Sequence, residues 1–430
     1  MQRARGRRFL LSAFCRTLLL FALALLGACR PSASPPTLDD FAADYVRFAL
    51  TFGQLSPKEL DFYFGPAELR ADAALVAAGR ATLLQAIAER QSALANAPEL
   101  AATTRGRLLL QRFEELAHLL EARPSSFAEQ IQTLYGLQLH ELDASTLAAA
   151  RAELERLLPG SGDLLSRLVA WQREQFIEPE RGRKVFERAL GECRARTLAH
   201  WRLPRSENLS LQWQGKGGAA AWHSYQGGWR GTLAVEPRAL TQVDAVLELA
   251  CHEGYPGHQA QFLLFEQGGV ALEESVVLTR SRQSVLREGA AMLAAELAFS
   301  AEERLVFERE VLYPLAGLAP ENAERDLAIQ QQLKILQGAI PSILAAFLDG
   351  KLNFTTARLK LENEALVGSA PDLLQYAIDY GSYLAGYTLQ AEVLREELLA
   401  SGALAAPATW EQLRHRLTAR AAANDGLSSR

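Results

Sequence analysis

Two histidines and a glutamate lie together in the run His252-Glu253-Gly254-Tyr255-Pro256-Gly257-His258. Imidazoles hold zinc, and a carboxylate beside them serves as a base for a metal-activated water. In the H-E-x-x-H form of this chemistry the histidines are four residues apart, about 40° around a helix. Here they are six apart, which on a straight helix places them about 120° apart and on different faces. Pro256-Gly257 offers a way round this. Proline lacks a backbone donor and clashes with the preceding turn, and glycine accepts unusual dihedrals. The pair predicts a distorted helix that swings His258 back beside His252.

Two histidines do not make a zinc site. A third protein ligand is expected, with one position left for water. Glu288, in Leu286-Arg287-Glu288-Gly289-Ala290-Ala291, is the candidate, with Gly289 allowing close helix approach. Glu273 and Glu274 are nearer in sequence, but an acidic doublet in a Gly-rich loop reads as a solvated surface. His118 and His140 lie within helical stretches and read as packing or surface residues. Cys251 reads as a buried small apolar residue, and its pairing with Cys193 stays open.

The elements that must position these groups are mostly helices. From Leu38 to about His200, apolar residues recur at three- and four-residue intervals, as in Ala81 to Leu94 and Leu108 to Leu120. Between Trp201 and Pro237 the texture changes to glycines interleaved with Trp213, Trp222, Tyr225 and Trp229. Thr232-Leu233-Ala234-Val235 there reads as a strand. Helices then resume: Ala239 to about Gln267 with the motif, Ser284 to Phe299, Ala323 to Phe347, Thr355 to Val367, Leu373 to Leu399 and Trp410 to Ala423. A strand just before a metal helix can align an extended peptide by strand addition, or it can be a simple turn cluster.

The N-terminus has a separate meaning. Arg3, Arg5, Arg7, Arg8 and Arg16 precede an apolar run, Thr17 to Ala28, that is short for a membrane span. Leu26-Gly27-Ala28-Cys29 resembles a bacterial lipobox, which implies cleavage before Cys29 and lipid attachment there. Arg30 to Thr37 reads as an extended tether. The 430-residue chain has 49% hydrophobic and 22% charged residues, as ordinary folded proteins do. Loss of the five leader arginines from 45 basic residues leaves 40 against 50 acidic ones, a net charge of −10. Such a surface disfavours nucleic acid.

The order H-E-x-x-P-G-H, then Glu288-Gly289 with Ala291, then Ser382-Tyr383-Leu384-Ala385-Gly386 and Arg395, resembles a large bacterial family, domain of unknown function 885. Many of its members are predicted lipoproteins. That family looks like a relative of the glutamate-liganded zincin peptidases, whose mainly helical members include the angiotensin-converting-enzyme type. The resemblance spans roughly Tyr225 to Arg395. It implies His252, His258 and Glu288 as ligands, Glu253 as the base, and Tyr383 as oxyanion donor, with Tyr380 and Tyr387 as competitors. The chain departs from the family's pattern at Ala290 and Leu293, which replace aromatic residues. It departs again after Arg325-Asp326, where Gln330 and Gln331 stand in place of a histidine.

The expected fold is mainly α, a two-lobed helical zincin-like metallopeptidase with a small β-sheet next to the metal-binding helix. Residues 1–28 form the lipoprotein signal peptide, 29–37 the lipidated Cys29 and tether, 38–200 an N-terminal helical lobe, and 201–430 the catalytic lobe. The expected activity is hydrolysis of peptide or protein substrates with one Zn2+ ion. The membrane is reached through the lipid anchor only, at the outer membrane facing the periplasm. Two other readings compete: a non-catalytic envelope lipoprotein that binds a peptide or protein at a relic site, and a metal-dependent amidase acting on a cell-wall fragment.

Overall fold

The structure, a computed structural model, describes residues 35–121, 125–214 and 220–419. The expected leader, Cys29 and most of the tether lie outside these residues. The fold is mainly helical, as the sequence predicts, with two small sheets where one was expected.

The helix Leu38–Leu55 opens the described chain. Thr37 and Asp40 form a reciprocal cap that satisfies the first free backbone donors. Its Phe41, Tyr45, Val46, Ala49 and Phe52 recur at helical spacing and are buried against Leu83 and Ile87 of helix Arg80–Ala95 and Phe113 and Leu116 of helix Thr104–Glu121. Val285, Ala385 and Leu389 join the same core, so these helices brace the segments that carry Glu288 and Tyr383. Strand β1 (Leu60–Tyr63) pairs antiparallel with a short strand at Val276–Leu278. Neither was legible, because three or four residues are too few for a period-2 pattern to register.

The 22-residue helix Pro179–His200 packs along helix Val243–Glu253, with Val185, Phe186 and Ala189 against Val243, Val246, Leu247 and Ala250. Cys193 and Cys251 form a disulfide between these two helices, with Cα atoms 5.5 Å apart. This core therefore crosses residue 200, the expected boundary between lobes.

The second sheet holds β2 (Asn208–Trp213), β3 (Ala221–Gly227) and β4 (Arg230–Val235) in the order β2-β4-β3. Strand β2 runs parallel to β4, and β3 antiparallel to it. Glu266, from the helix His258–Gln267, accepts the N–H groups of Gly228 and Trp229 at 3.0 and 3.2 Å and the Tyr225 hydroxyl. That one carboxylate pins the β3–β4 hairpin, and so the sheet edge, to the metal-binding segment.

Three stretches expected as single helices are broken. Residues 284–299 divide at Leu293, residues 323–347 at Gly338-Ala339, and residues 373–399 at Gly381. Gly381 has φ +53°, a left-handed conformation that suits glycine and stops the helix Ala370–Tyr380. The chain then winds as a 3-10 turn over Gly381–Ala385 and a π turn over Gly386–Gln390 before helix Ala391–Leu399.

Candidate metal centre

The histidine motif is two helices joined by a turn, rather than the single distorted helix expected. Helix Val243–Glu253 stops at Gly254, and helix His258–Gln267 begins four residues after Glu253's neighbouring turn opens, at His258 itself. Between them the Tyr255–Pro256 bond is cis. Gly257 donates to the Cys251 carbonyl at 3.0 Å, and Ala260 to the Gly254 carbonyl at 3.1 Å, so the turn's polar groups are satisfied internally. A Cβ on Gly257 would collide with the carbonyls of His252 and Cys251. Only glycine lets the second helix start this close to the end of the first. His252 in the last turn of one helix thus meets His258 at the start of the next, their rings edge-to-face at 4.8 Å.

Glu288 comes from a third helix, Arg282–Met292, and is 2% exposed. Its Oε1 lies 3.0 Å from His252 Nε2, and its Oε2 lies 3.7 Å from His258 Nε2. One donor atom from each of the three residues falls within 4.8 Å of the others. The helix is seated by two glycines. A Cβ on Gly386 would stand 2.8 Å from Glu288 Cβ, and one on Gly289 would stand 2.7 Å from Gln390 Cγ. The close approach expected of Gly289 is therefore present, and Gly386 supplies its counterpart.

The group fits a divalent cation. Glu288 Oε1 is buried and makes no hydrogen bond of good geometry, and the polar atom against it is His252 Nε2 at 3.0 Å, which is itself a candidate ligand. Two histidines and one carboxylate are also a zinc donor set with a position left open. Burial alone would raise the Glu288 carboxyl, but contact with His252 and its charge hold it at about 2. Burial would lower His252, but Glu288 takes it to about 9. Burial pulls His258 down to about 3, against the attraction of Glu288.

Glu253 is 8% exposed and directly follows His252. Burial, reinforced by the Glu288 charge, pushes its carboxyl up to about 7, while His252 and the main chain of His223 oppose the shift. A carboxyl at that level can take and return a proton near neutral pH. His223, on β3, gave no signal in the sequence. It is buried, pairs through Nε2 with Gln259 Oε1 at 2.9 Å, and its ring stacks 6.1 Å from His258. Gly231 on the neighbouring strand leaves room for that pair.

Tyrosines close another side. Tyr383 donates its hydroxyl to Glu288 Oε2 at 2.6 Å. Tyr387 lies parallel to the His252 ring at 6.4 Å, and its hydroxyl meets that of Tyr376 at 3.2 Å. Tyr380 lies tilted against Tyr376, with ring centres 4.4 Å apart. Behind Tyr376 and Tyr387 opens a cavity of about 1090 Å³. Phe299, Leu327 and Leu344 form part of its apolar wall, and Gln330 and Gln331 also line it. Most of its charged groups pair with one another: Glu248 with Arg304 at 2.7 Å and Lys334 at 2.8 Å, and Glu296 with Arg395 at 2.6 Å. Arg395 therefore belongs to the cavity wall and does not touch the metal group.

Glu273 and Glu274 overturn their reading as a solvated doublet. They are 1% and 3% exposed, and Arg105 clasps Glu273 through two contacts of 3.0 Å. The arginine reaches them from a helix 168 positions earlier, a distance no local pattern conveys. His118 is exposed and His140 half-exposed, with neither near the centre. Cys251 is buried, as expected, and engaged in the disulfide.

No family model matches the chain, and no curated protein matches it. Among solved structures, the crystal structure of an M32 carboxypeptidase from Deinococcus radiodurans R1 is similar, with TM-score 0.47 and 15% identity over 89% of this chain and 91% of that one.

Proposed function

We propose that this protein is a lipid-anchored zinc peptidase of the cell envelope. The observation that carries the reading is the convergence of His252, His258 and Glu288 on one point, with Glu253 next to His252 in the chain. Those three side chains would hold the ion. When bound, it supplies a Lewis acid for a peptide carbonyl and lowers the pKa of water. Glu253 takes the proton from the attacking water and delivers it to the leaving amine. Strand β3 is the sheet edge packed against both histidine helices, so an extended substrate can add to it and lie across the centre. Tyr383 and Tyr387 are the candidate donors to the oxyanion.

Two features support an envelope location. Cys29 in its lipobox-like context supplies the anchor, and the Cys193–Cys251 disulfide suits an oxidising space such as the periplasm. Among the described residues no helix is long and apolar enough to cross a membrane.

The test uses the mature protein, its metal content and a mixed peptide library. The wild-type protein should carry one zinc per chain and cleave. Glu253→Gln should keep the zinc and lose roughly 100-fold or more in kcat, whereas His252→Ala should lose the zinc. Cleavage that persists in Glu253→Gln removes the base from the mechanism. A zinc-loaded protein that leaves every peptide intact but opens cell-wall amides would make it an amidase.

A further inference from the structure

The cavity beside Tyr376 and Tyr387 takes no part in the steps assigned to the metal centre, yet it shares walls with that centre. Glu248 lines it and precedes His252 by four residues, so both project from one face of helix Val243–Glu253. Met292 lines it too, and follows Glu288 by four residues on helix Arg282–Met292. Tyr387 is common to both places: it forms part of the cavity wall and lies parallel to the His252 ring at 6.4 Å. The cavity therefore begins one helical turn from two of the three candidate ligands.

Its lining is of two kinds. Phe299, Leu327, Ile335, Leu344, Leu373 and Leu399 make an apolar wall. Ile335 and Leu399 are 36% and 49% exposed, so that wall reaches solvent. A single apolar side chain on a surface is ordinary, but two that line one hollow leave a continuous apolar area uncovered. The charged lining residues are three acids, Glu248, Glu296 and Glu392, and three bases, Arg304, Lys334 and Arg395, a sum of zero. Five of the six form one chain of contacts. Glu248 takes Arg304 at 2.7 Å and Lys334 at 2.8 Å, Lys334 reaches on to Glu296 at 3.4 Å, and Arg395 holds Glu296 at 2.6 Å. Glu392 stands outside that chain, 3.7 Å from His140. A substrate carboxylate entering here would give up water and find every base engaged. An uncharged apolar group gives up no such hydration and covers the apolar wall. At about 1090 Å³ the cavity stands at the upper end of the roughly 300–1,000 Å³ of ligand pockets, more than one side chain fills.

We propose that this cavity is a substrate subsite that takes a run of consecutive apolar side chains beside the scissile bond, and so makes the centre selective for peptides with such a run. The proposal rests on the peptidase reading and gives that site a substrate class.

Matched peptides test it: one frame of Gln and Ala carrying zero, one, two or three consecutive central leucines. Wild-type protein should gain about tenfold or more in kcat/KM from the leucine-free peptide to the three-leucine one, mainly through KM, with each leucine adding to the gain. Ile335→Glu and Leu399→Glu each place a charge in the wall from an exposed position, which spares the buried core. Each should cut the gain to about threefold or less. A gain that is absent, or that stops at the first leucine, overturns the proposal. So do variants that keep the whole gain, or that lower all four peptides equally. Calorimetric binding of the leucine-free and three-leucine peptides reads the cavity apart from cleavage. Tighter binding of the three-leucine peptide, weakened about tenfold by Ile335→Glu, supports the subsite even where no peptide is cut and only the peptidase reading fails. Equal binding of the two peptides overturns it.

Discussion

The two oxygens of Glu288 have different surroundings: Oε2 accepts the Tyr383 hydroxyl at 2.6 Å, and Oε1 faces the His252 ring at 3.0 Å. A ligand held in this way is oriented before any ion arrives, and a hydrogen bond to a ligating carboxylate supports metal affinity as well as geometry. Tyr383→Phe is therefore expected to weaken zinc binding about 10- to 100-fold, read by competition against a chelator. Tyr387→Phe should not, because the Tyr387 hydroxyl pairs with Tyr376. If Tyr383→Phe keeps its zinc affinity and loses only kcat, the hydroxyl serves the oxyanion, as the sequence comparison implied, and its bond to Glu288 is incidental. His252 and His258 stood out through their motif, and Glu288 through its small-residue helix and the resemblance, while their convergence is a fact of the structure. The occupation of Tyr383 was not legible, since a tyrosine's partner depends on which helix it faces.

At the scale of elements, the centre depends on helix ends. Both histidines lie beside the break between two helices, and Glu288 lies where glycines let another segment approach. These breaks have local causes that a periodicity reading smooths over. Residues 373–399 keep an apolar recurrence throughout, yet Gly381 ends the helix and the next ten residues wind differently. π turns of this kind recur at functional sites, and here one places Gly386 against Glu288. The prediction at this scale concerns Gly257, whose Cβ would strike two main-chain carbonyls that cannot rotate away. Gly257→Ala should destabilise the fold by about 1–3 kcal/mol or more and separate the two histidines. Thermal unfolding with and without zinc checks this: zinc should raise the midpoint of the wild-type protein and leave that of the variant unchanged. A variant that still responds to zinc would show that the turn is not what brings the histidines together.

For the whole molecule, the centre is held from two sides. The N-terminal helices brace the Glu288 and Tyr383 segments through a shared core, and Arg105 ties them to Glu273. On the other side, helix Pro179–His200 backs the His252 helix, and the disulfide joins them across a sequence separation of 58. Closing a loop of that length restricts the unfolded chain. Replacing both Cys193 and Cys251 with Ala should lower stability by about 2–4 kcal/mol, measured by denaturant unfolding. The same loss should follow treatment of the wild-type protein with a reductant, and the double variant should be insensitive to that treatment. Equal stability of reduced and oxidised protein would mean the cross-link contributes nothing to the fold.

The sequence alone determined the helical character, the short strand Thr232 to Val235, and a set of residues whose chemistry suits a cation. It could do so because periodicity, glycine and proline act locally, within a turn or two of the residue concerned. The tertiary structure decided what lies across space. It placed His258 beside His252 through a full helix break and put His223 behind His258. It buried Glu273 under an arginine from a distant helix, and it set Arg287 against two phenylalanines. Except for the two histidines, which a single turn joins, these are contacts between segments separated in the chain, set by which element packs against which. A residue's type limits what it can bind, but only packing determines which partner it meets and which partner it lacks.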